Sequence, residues 1–168
     1  MTRKRIDPIN LETHMTDTDI EAPPLLAQLV SKHHAPWIDF DNIDAWLASQ
    51  QGDHVLLFAG DPVRFPEALD VAVVLPELQR ACAAVGRTFG IAVAVPESAE
   101  ALAKKFGSQR WPTLMFFRTG HYVTTLSGMH DWSDYFTRVS AALDAPTSRA
   151  PTIGIPVVSS TTTDSHCH

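Results

Sequence analysis

The chain has 168 residues, 45% of them hydrophobic and 19% charged, which is enough to build one packed core and too apolar for wholesale disorder. The net charge is −6, and three basic side chains fall within residues 1–5, leaving 10 basic against 19 acidic groups in the rest. That balance disfavours a nucleic-acid partner, and the longest apolar runs, Val55–Ala59 and Val71–Leu75, fall far short of the about 20 residues a membrane helix needs.

The basic start, Arg3-Lys4-Arg5, is followed by Asp7, Pro8 and Asn10 rather than an apolar stretch, so it does not read as an export signal. Two cysteines, Cys82 and Cys167, are too few for a disulfide framework and point to a reducing, cytoplasmic compartment. Cys82 suits a small buried hydrophobe. Cys167 lies in His166-Cys167-His168, and a frayed end lacks the fixed geometry of a metal site, so no metal is expected.

Residues 1–22 are polar and aperiodic and read as a mobile arm. Pro23-Pro24 opens a helix with Leu25, Leu26, Leu29 and Val30 at helical spacing, ended by Ala35-Pro36. Trp37-Ile38-Asp39 is extended. Asp39 or Asp41 is the expected cap for a helix from Asn42 to Gln50, with Ile43, Trp46 and Leu47 on its apolar face. His54–Ala59 is a continuous apolar run, the mark of a strand covered on both faces.

Gly60-Asp61-Pro62 breaks that strand, and a helix is predicted from Leu69 to Val85 with Pro76 inside it. Phe89–Val95 is a second buried strand and Ala99–Phe106 a helix closed by Gly107. Leu114–Arg118, the turn Thr119-Gly120 and His121–Leu126 form a hairpin. Asp131 then caps a last helix with Trp132, Tyr135, Phe136 and Val139 on its buried face. From Pro146 onward Pro, Thr and Ser dominate, so residues 146–168 read as a disordered tail in which only Ile153–Val158 keeps an apolar pattern. Strand–helix–strand steps ahead of a hairpin imply a mixed central sheet flanked by helices on both faces.

Three segments carry a resemblance: Trp111-Pro112-Thr113-Leu114-Met115-Phe116-Phe117-Arg118-Thr119-Gly120, Val74-Leu75-Pro76-Glu77-Leu78, and Gly128. Together they resemble the thioredoxin pattern over residues 36–144. The resemblance implies a cis Trp111–Pro112 bond. One departure decides the chemistry. At the thioredoxin spacing from Pro76, the place of the Cys-x-x-Cys pair is taken by Ala68-Leu69-Asp70-Val71. Disulfide exchange needs an attacking and a resolving thiol, and these side chains supply neither.

A thioredoxin-like domain without that pair, with Val55–Pro62 ahead of Pro66 and Arg110-Trp111-Pro112-Thr113, is similar to the HyaE/HupG/HoxO type of accessory proteins in nickel–iron hydrogenase maturation. The resemblance covers residues 24–144, so a domain over 23–145 is expected. It implies a non-catalytic chaperone that needs no cofactor. It also implies as partner the hydrogenase small subunit precursor, held through its twin-arginine signal peptide, alongside other maturation proteins. Such a peptide is basic at one end and apolar in the middle, so its site should set carboxylates beside an apolar groove.

In the inferred fold Asp61, Glu67 and Asp70 approach Trp111, Pro112 and the turn Gly128-Met129-His130, and these five named groups, Asp61, Glu67, Asp70, Trp111 and Pro112, are the expected peptide-binding residues. Plainer roles stand beside that one. Trp111 also suits filling the vacated cysteine place, and Asp61 and Asp70 suit caps or solvated charges. Two other functions compete: an oxidoreductase with a lone thiol, Cys82 or Cys167, and a scaffold subunit that binds another maturation factor.

Overall fold

A computed structural model describes residues 20–152. Helix α1 (Pro24–His33) starts on the proline pair, buries Leu26 and Leu29, and ends where His34 turns left-handed at φ 54°. Strand β1 (Trp37–Ile38) leads to α2 (Ile43–Ser49), then β2 (Asp53–Phe58) and the long α3 (Glu67–Ala84). Strand β3 (Gly90–Ala94), α4 (Ala99–Lys105), the hairpin β4 (Thr113–Arg118) and β5 (His121–Ser127), and α5 (Trp132–Asp144) complete the domain.

The five strands lie in the order β1-β3-β2-β4-β5. The first three in sequence run parallel, while β4 is antiparallel to β2 and β5 to β4. This is the expected α/β architecture, thioredoxin-like, with helices on both faces. Side chains of a strand alternate between faces, so each apolar run serves two cores. Val55, Leu57, Ile91, Val93, Leu114 and Phe116 pack with α1, α3 and α5. Leu56, Phe58, Ala92, Ala94, Met115 and Phe117 pack with α2 and α4.

Several details differ from the sequence expectation. Helix α3 begins at Glu67, two residues before Leu69, because Pro66 and the loop ahead of it supply the first turn. Asp39 rather than Asp41 organises the start of α2. Its carboxylate accepts the Asn42 amide at 2.7 Å while Asn42 Oδ1 accepts the Asp39 amide at 3.0 Å. Asp131 stands at the N-cap of α5, but its side chain makes no capping hydrogen bond. Trp132 is 49% exposed and not part of the core. By spacing it falls on the stripe of Tyr135, Val139 and Leu143, but it stands at the first position of α5, at the end of that stripe.

The expected arm and tail lie mainly in residues 1–19 and 153–168, outside the described residues. The head of the tail differs from expectation, because it is tied to the sheet. Ser148 donates its amide to Tyr122 O and its hydroxyl to Val123 O, each at 2.8 Å, and Ala150 packs on the α2/α4 core. The guanidinium of Arg118 anchors this crossing. It reaches Asp53 Oδ1 at 2.7 Å, the Ala145 carbonyl at 2.7 Å and the Leu143 carbonyl. Arg118→Met should cost about 2–3 kcal/mol, read as a lower urea midpoint at unchanged slope, because it leaves Asp53 and two carbonyls without their donor.

His54 packs over Gly90, where a Cβ would come within 2.5 Å of the ring, and meets Trp46 edge-on at 5.9 Å. Its Nδ1 is buried without a partner. Burial lowers its pKa, outweighing the Gly52 backbone and Asp53, which favour the charged ring. The unfolded chain therefore binds this proton more readily than the folded one. Stability should be full above about pH 6.5, the ordinary histidine value, and fall as the pH drops toward the lowered one. Urea midpoints between pH 7 and pH 5 should show this slope, and His54→Phe should flatten it.

Candidate functional site

The C-terminal ends of β2 and β3 and the start of β4 lie along one edge of the sheet, and three connections meet there. The β2–α3 loop is shaped by Asp61. Its carboxylate accepts the Val63 amide at 2.8 Å and its carbonyl accepts the Phe65 amide at 2.8 Å. These bonds turn the Phe65 side chain, half-buried, toward Trp111. Gly60 sits at φ 76°, and a Cβ there would come within 3.0 Å of the Trp111 ring. Only glycine allows both the left-handed turn and that approach.

The Trp111–Pro112 peptide is cis. Pro112 is buried and its carbonyl accepts the Gly128 amide at 2.8 Å, which ties the loop before β4 to the loop after β5. Beneath them Thr113, a buried polar residue, gives its hydroxyl proton to Arg110 O at 2.6 Å. The Ser127 hydroxyl, 2.8 Å from Thr113 Oγ1, is then the donor in that pair. Tyr135 of α5 donates to Gly128 O at 2.6 Å, and burial pushes its own pKa up to about 12. His130 meets the Tyr135 ring edge-on at 5.0 Å and reaches Ser127 O at 3.0 Å.

Trp111 stands as a half-buried ridge between three open grooves, and Phe65 lines all of them. The first, about 470 Å³, adds Arg64, Glu100, Lys104, Ser108 and Gln109. The second, about 360 Å³, adds Asp61, Arg64, Glu97 and Glu100, with Gly60 and Pro96 also in its lining. The third, about 310 Å³, runs over Arg110, Ser127 and Gly128. Met129, next to that groove, is 42% exposed.

Of the expected site residues, the structure brings Asp61 and Trp111 onto one groove, while Pro112, next to Trp111 in the chain, is buried and lines none of the three. Glu67 and Asp70 lie on the first turn of α3 and line none of these three grooves. Trp111 does not fill the vacated cysteine place. Its ring packs with Phe58 on the α2/α4 side, whereas Ala68 and Val71 are buried in the opposite core. Phe65, Glu97 and Glu100 were missed. Phe65 carried a signal, an aromatic inside a proline-bounded loop. Glu97 and Glu100 carried none, because acids are ordinary in the first turn of any helix.

No thiol serves this site among the described residues. Cys82 is fully buried, and burial pushes its pKa up, against weaker pulls from Ser140 and Arg87. No described group of three or more His, Cys, Asp and Glu side chains could hold a metal ion. No described helix is long and apolar enough to cross a membrane.

A thioredoxin-like frame that keeps the cis-proline loop and lacks the sulfurs narrows the kinship, and comparison with known proteins specifies it. A family profile described as hydrogenase-1 expression protein HyaE matches residues 25–135. The chain belongs to the HyaE family. It is 53% identical to the hydrogenase expression/formation protein HoxO of Cupriavidus necator, over 87% of this chain and 89% of that one. It is 37% identical to the hydrogenase expression/formation protein HupG of Bradyrhizobium diazoefficiens, over 77% and 87% of the two chains. A crystal structure of HupG from Rhodopseudomonas palustris shares 33% identity, covers 65% of this chain and 95% of that one, and gives a TM-score of 0.44.

In this HyaE-family chain the loops of the site are held from below by Thr113 and Tyr135. Tyr135→Phe should cost about 1–2 kcal/mol in urea unfolding, and Thr113→Val a similar amount, because each removes a part-buried hydrogen bond donated by a buried side chain. Hydrogen exchange should quicken first at Gly128–His130 in both variants.

Proposed function

We propose that the chain is a non-catalytic chaperone of nickel–iron hydrogenase maturation, and that the Trp111 grooves hold the small subunit precursor by its twin-arginine signal peptide in the cytoplasm, before export. Family membership supports the hydrogenase role. The observation that carries the binding mode is the Trp111–Phe65 ridge, an aromatic surface left open beside the cis-proline loop. The apolar middle of the peptide lies against the two rings. Its arginines meet the carboxylates that line the same groove, Asp61, Glu97 and Glu100. Of the acids expected from the sequence, only Asp61 keeps this role, and Glu67 and Asp70 belong to the solvated start of α3. Capture is reversible, with no bond made or broken.

Titration of the full chain with a synthetic small-subunit signal peptide, in low and high salt, tests this. The combination Asp61→Asn, Glu97→Gln, Glu100→Gln should weaken binding by about 1–3 kcal/mol, more at low salt. Trp111→Ala should cost at least about 2 kcal/mol at either salt. Glu67→Gln with Asp70→Asn should stay within about 0.5 kcal/mol. A peptide that binds in neither buffer would overturn the signal-peptide mechanism.

A further inference from the structure

The crossing of the chain over β5 leads somewhere specific. After Arg118 and Ser148 fix it to the sheet edge, the chain reaches the C-terminal end of α4. There the Pro151 carbonyl occupies the space beside Gly107, where a Cβ would lie 2.1 Å away. The next residues after Gly107 are Ser108 and Gln109, which form one wall of the 470 Å³ groove against Trp111 and Phe65. The chain beyond Thr152 therefore departs from the rim of that groove. It continues as Ile153-Gly154-Ile155-Pro156-Val157-Val158, an uncharged aliphatic stretch within an otherwise Thr- and Ser-rich sequence.

We propose that Ile153–Val158 is the resident occupant of the Trp111–Phe65 groove, docked there until a partner displaces it. Three observations favour this segment over other occupants. The chain is already anchored at the groove margin, so docking is intramolecular and its effective concentration is high. An extended chain advances roughly 3.3–3.6 Å per residue, so six residues cover roughly 20 Å, ample to cross from Gly107 to the ridge. The segment has no charge to desolvate, and Trp111 and Phe65 offer it two aromatic rings among the polar side chains Arg64, Glu100, Lys104, Ser108 and Gln109. Occupancy would cover the two rings in the free protein and lower the apparent affinity for any peptide that needs the same surface. The regulatory consequence rests on the reading of this groove as the peptide site, and the docking itself does not.

The test uses the full chain carrying Cys167→Ser and Val158→Cys, with a nitroxide at position 158, since Cys82 is buried and does not label. The Trp111 indole N–H and the amides of Phe65, Ser108 and Gln109 should broaden strongly in its NMR spectrum. Thr119 and Gly120 at the opposite end of the sheet should not. Adding Ile153→Asp and Ile155→Asp should restore the groove signals. Groove signals that stay sharp, or broadening spread evenly over the domain, overturn the proposal. So does broadening that persists when the nitroxide and the isotope sit on different molecules, which would mark a second copy as the occupant.

A second arm separates this inference from the functional reading. In the unlabelled full chain, the two Asp substitutions should tighten binding of the signal peptide about three- to tenfold, the gain expected from freeing a site that is occupied most of the time. Groove broadening without peptide binding keeps the docked segment and defeats the peptide reading. Peptide binding of equal strength in both chains, with no broadening, does the reverse.

Discussion

The site rests on a short chain of hydrogen bonds beneath the cis-proline loop. Thr113 ties the loop before β4 to Ser127 at the end of β5, and Gly128 accepts from Tyr135 while donating to Pro112. Each partner is buried or half-buried, so each bond lost would strand a polar atom away from water. That cost is what keeps the loop before β4 and the loop after β5 in register. With them fixed, Trp111 has one place to go: over Gly60, beside Phe65, at the edge where the parallel strands end.

The same frame explains why the described site carries no dithiol. In a dithiol catalyst the start of the long helix presents sulfur to the cis-proline loop. Here the corresponding positions, Ala68 and Val71, turn inward and complete the α1/α3/α5 core. The remaining described thiol, Cys82, is sealed in that core further along the same helix. The surface that is left offers two aromatic rings, with Arg64 and Glu100 in both of the larger grooves, Asp61 and Glu97 in one and Lys104 in the other.

Charge also divides into pairs that hold the fold and groups that face the grooves. Arg118–Asp53, Arg87–Asp144 and Lys105–Asp44 join distant segments, and the first of these also receives the chain as it leaves α5. Asp61, Glu97, Glu100, Arg64 and Lys104 form no ion pair among the described residues. They face the grooves and leave their charges unpaired there.

The sequence by itself determined the elements, the mixed sheet with helices on two faces, and the absence of the Cys-x-x-Cys pair. Those are local matters: apolar periods, proline and glycine punctuation, and the absence of two sulfurs at a counted spacing. It also singled out Asp61, Trp111 and Pro112, which lie in or beside motifs. Only the tertiary structure decided which carboxylates join them. Glu67 and Asp70 come soon after Asp61 in the chain, yet the helical turn carries them away from the ridge. Glu97 and Glu100 are more than thirty residues from Asp61, and the parallel pairing of β2 with β3 sets their loops side by side. A groove is made by strand order, and strand order is a long-range property that no window of sequence contains.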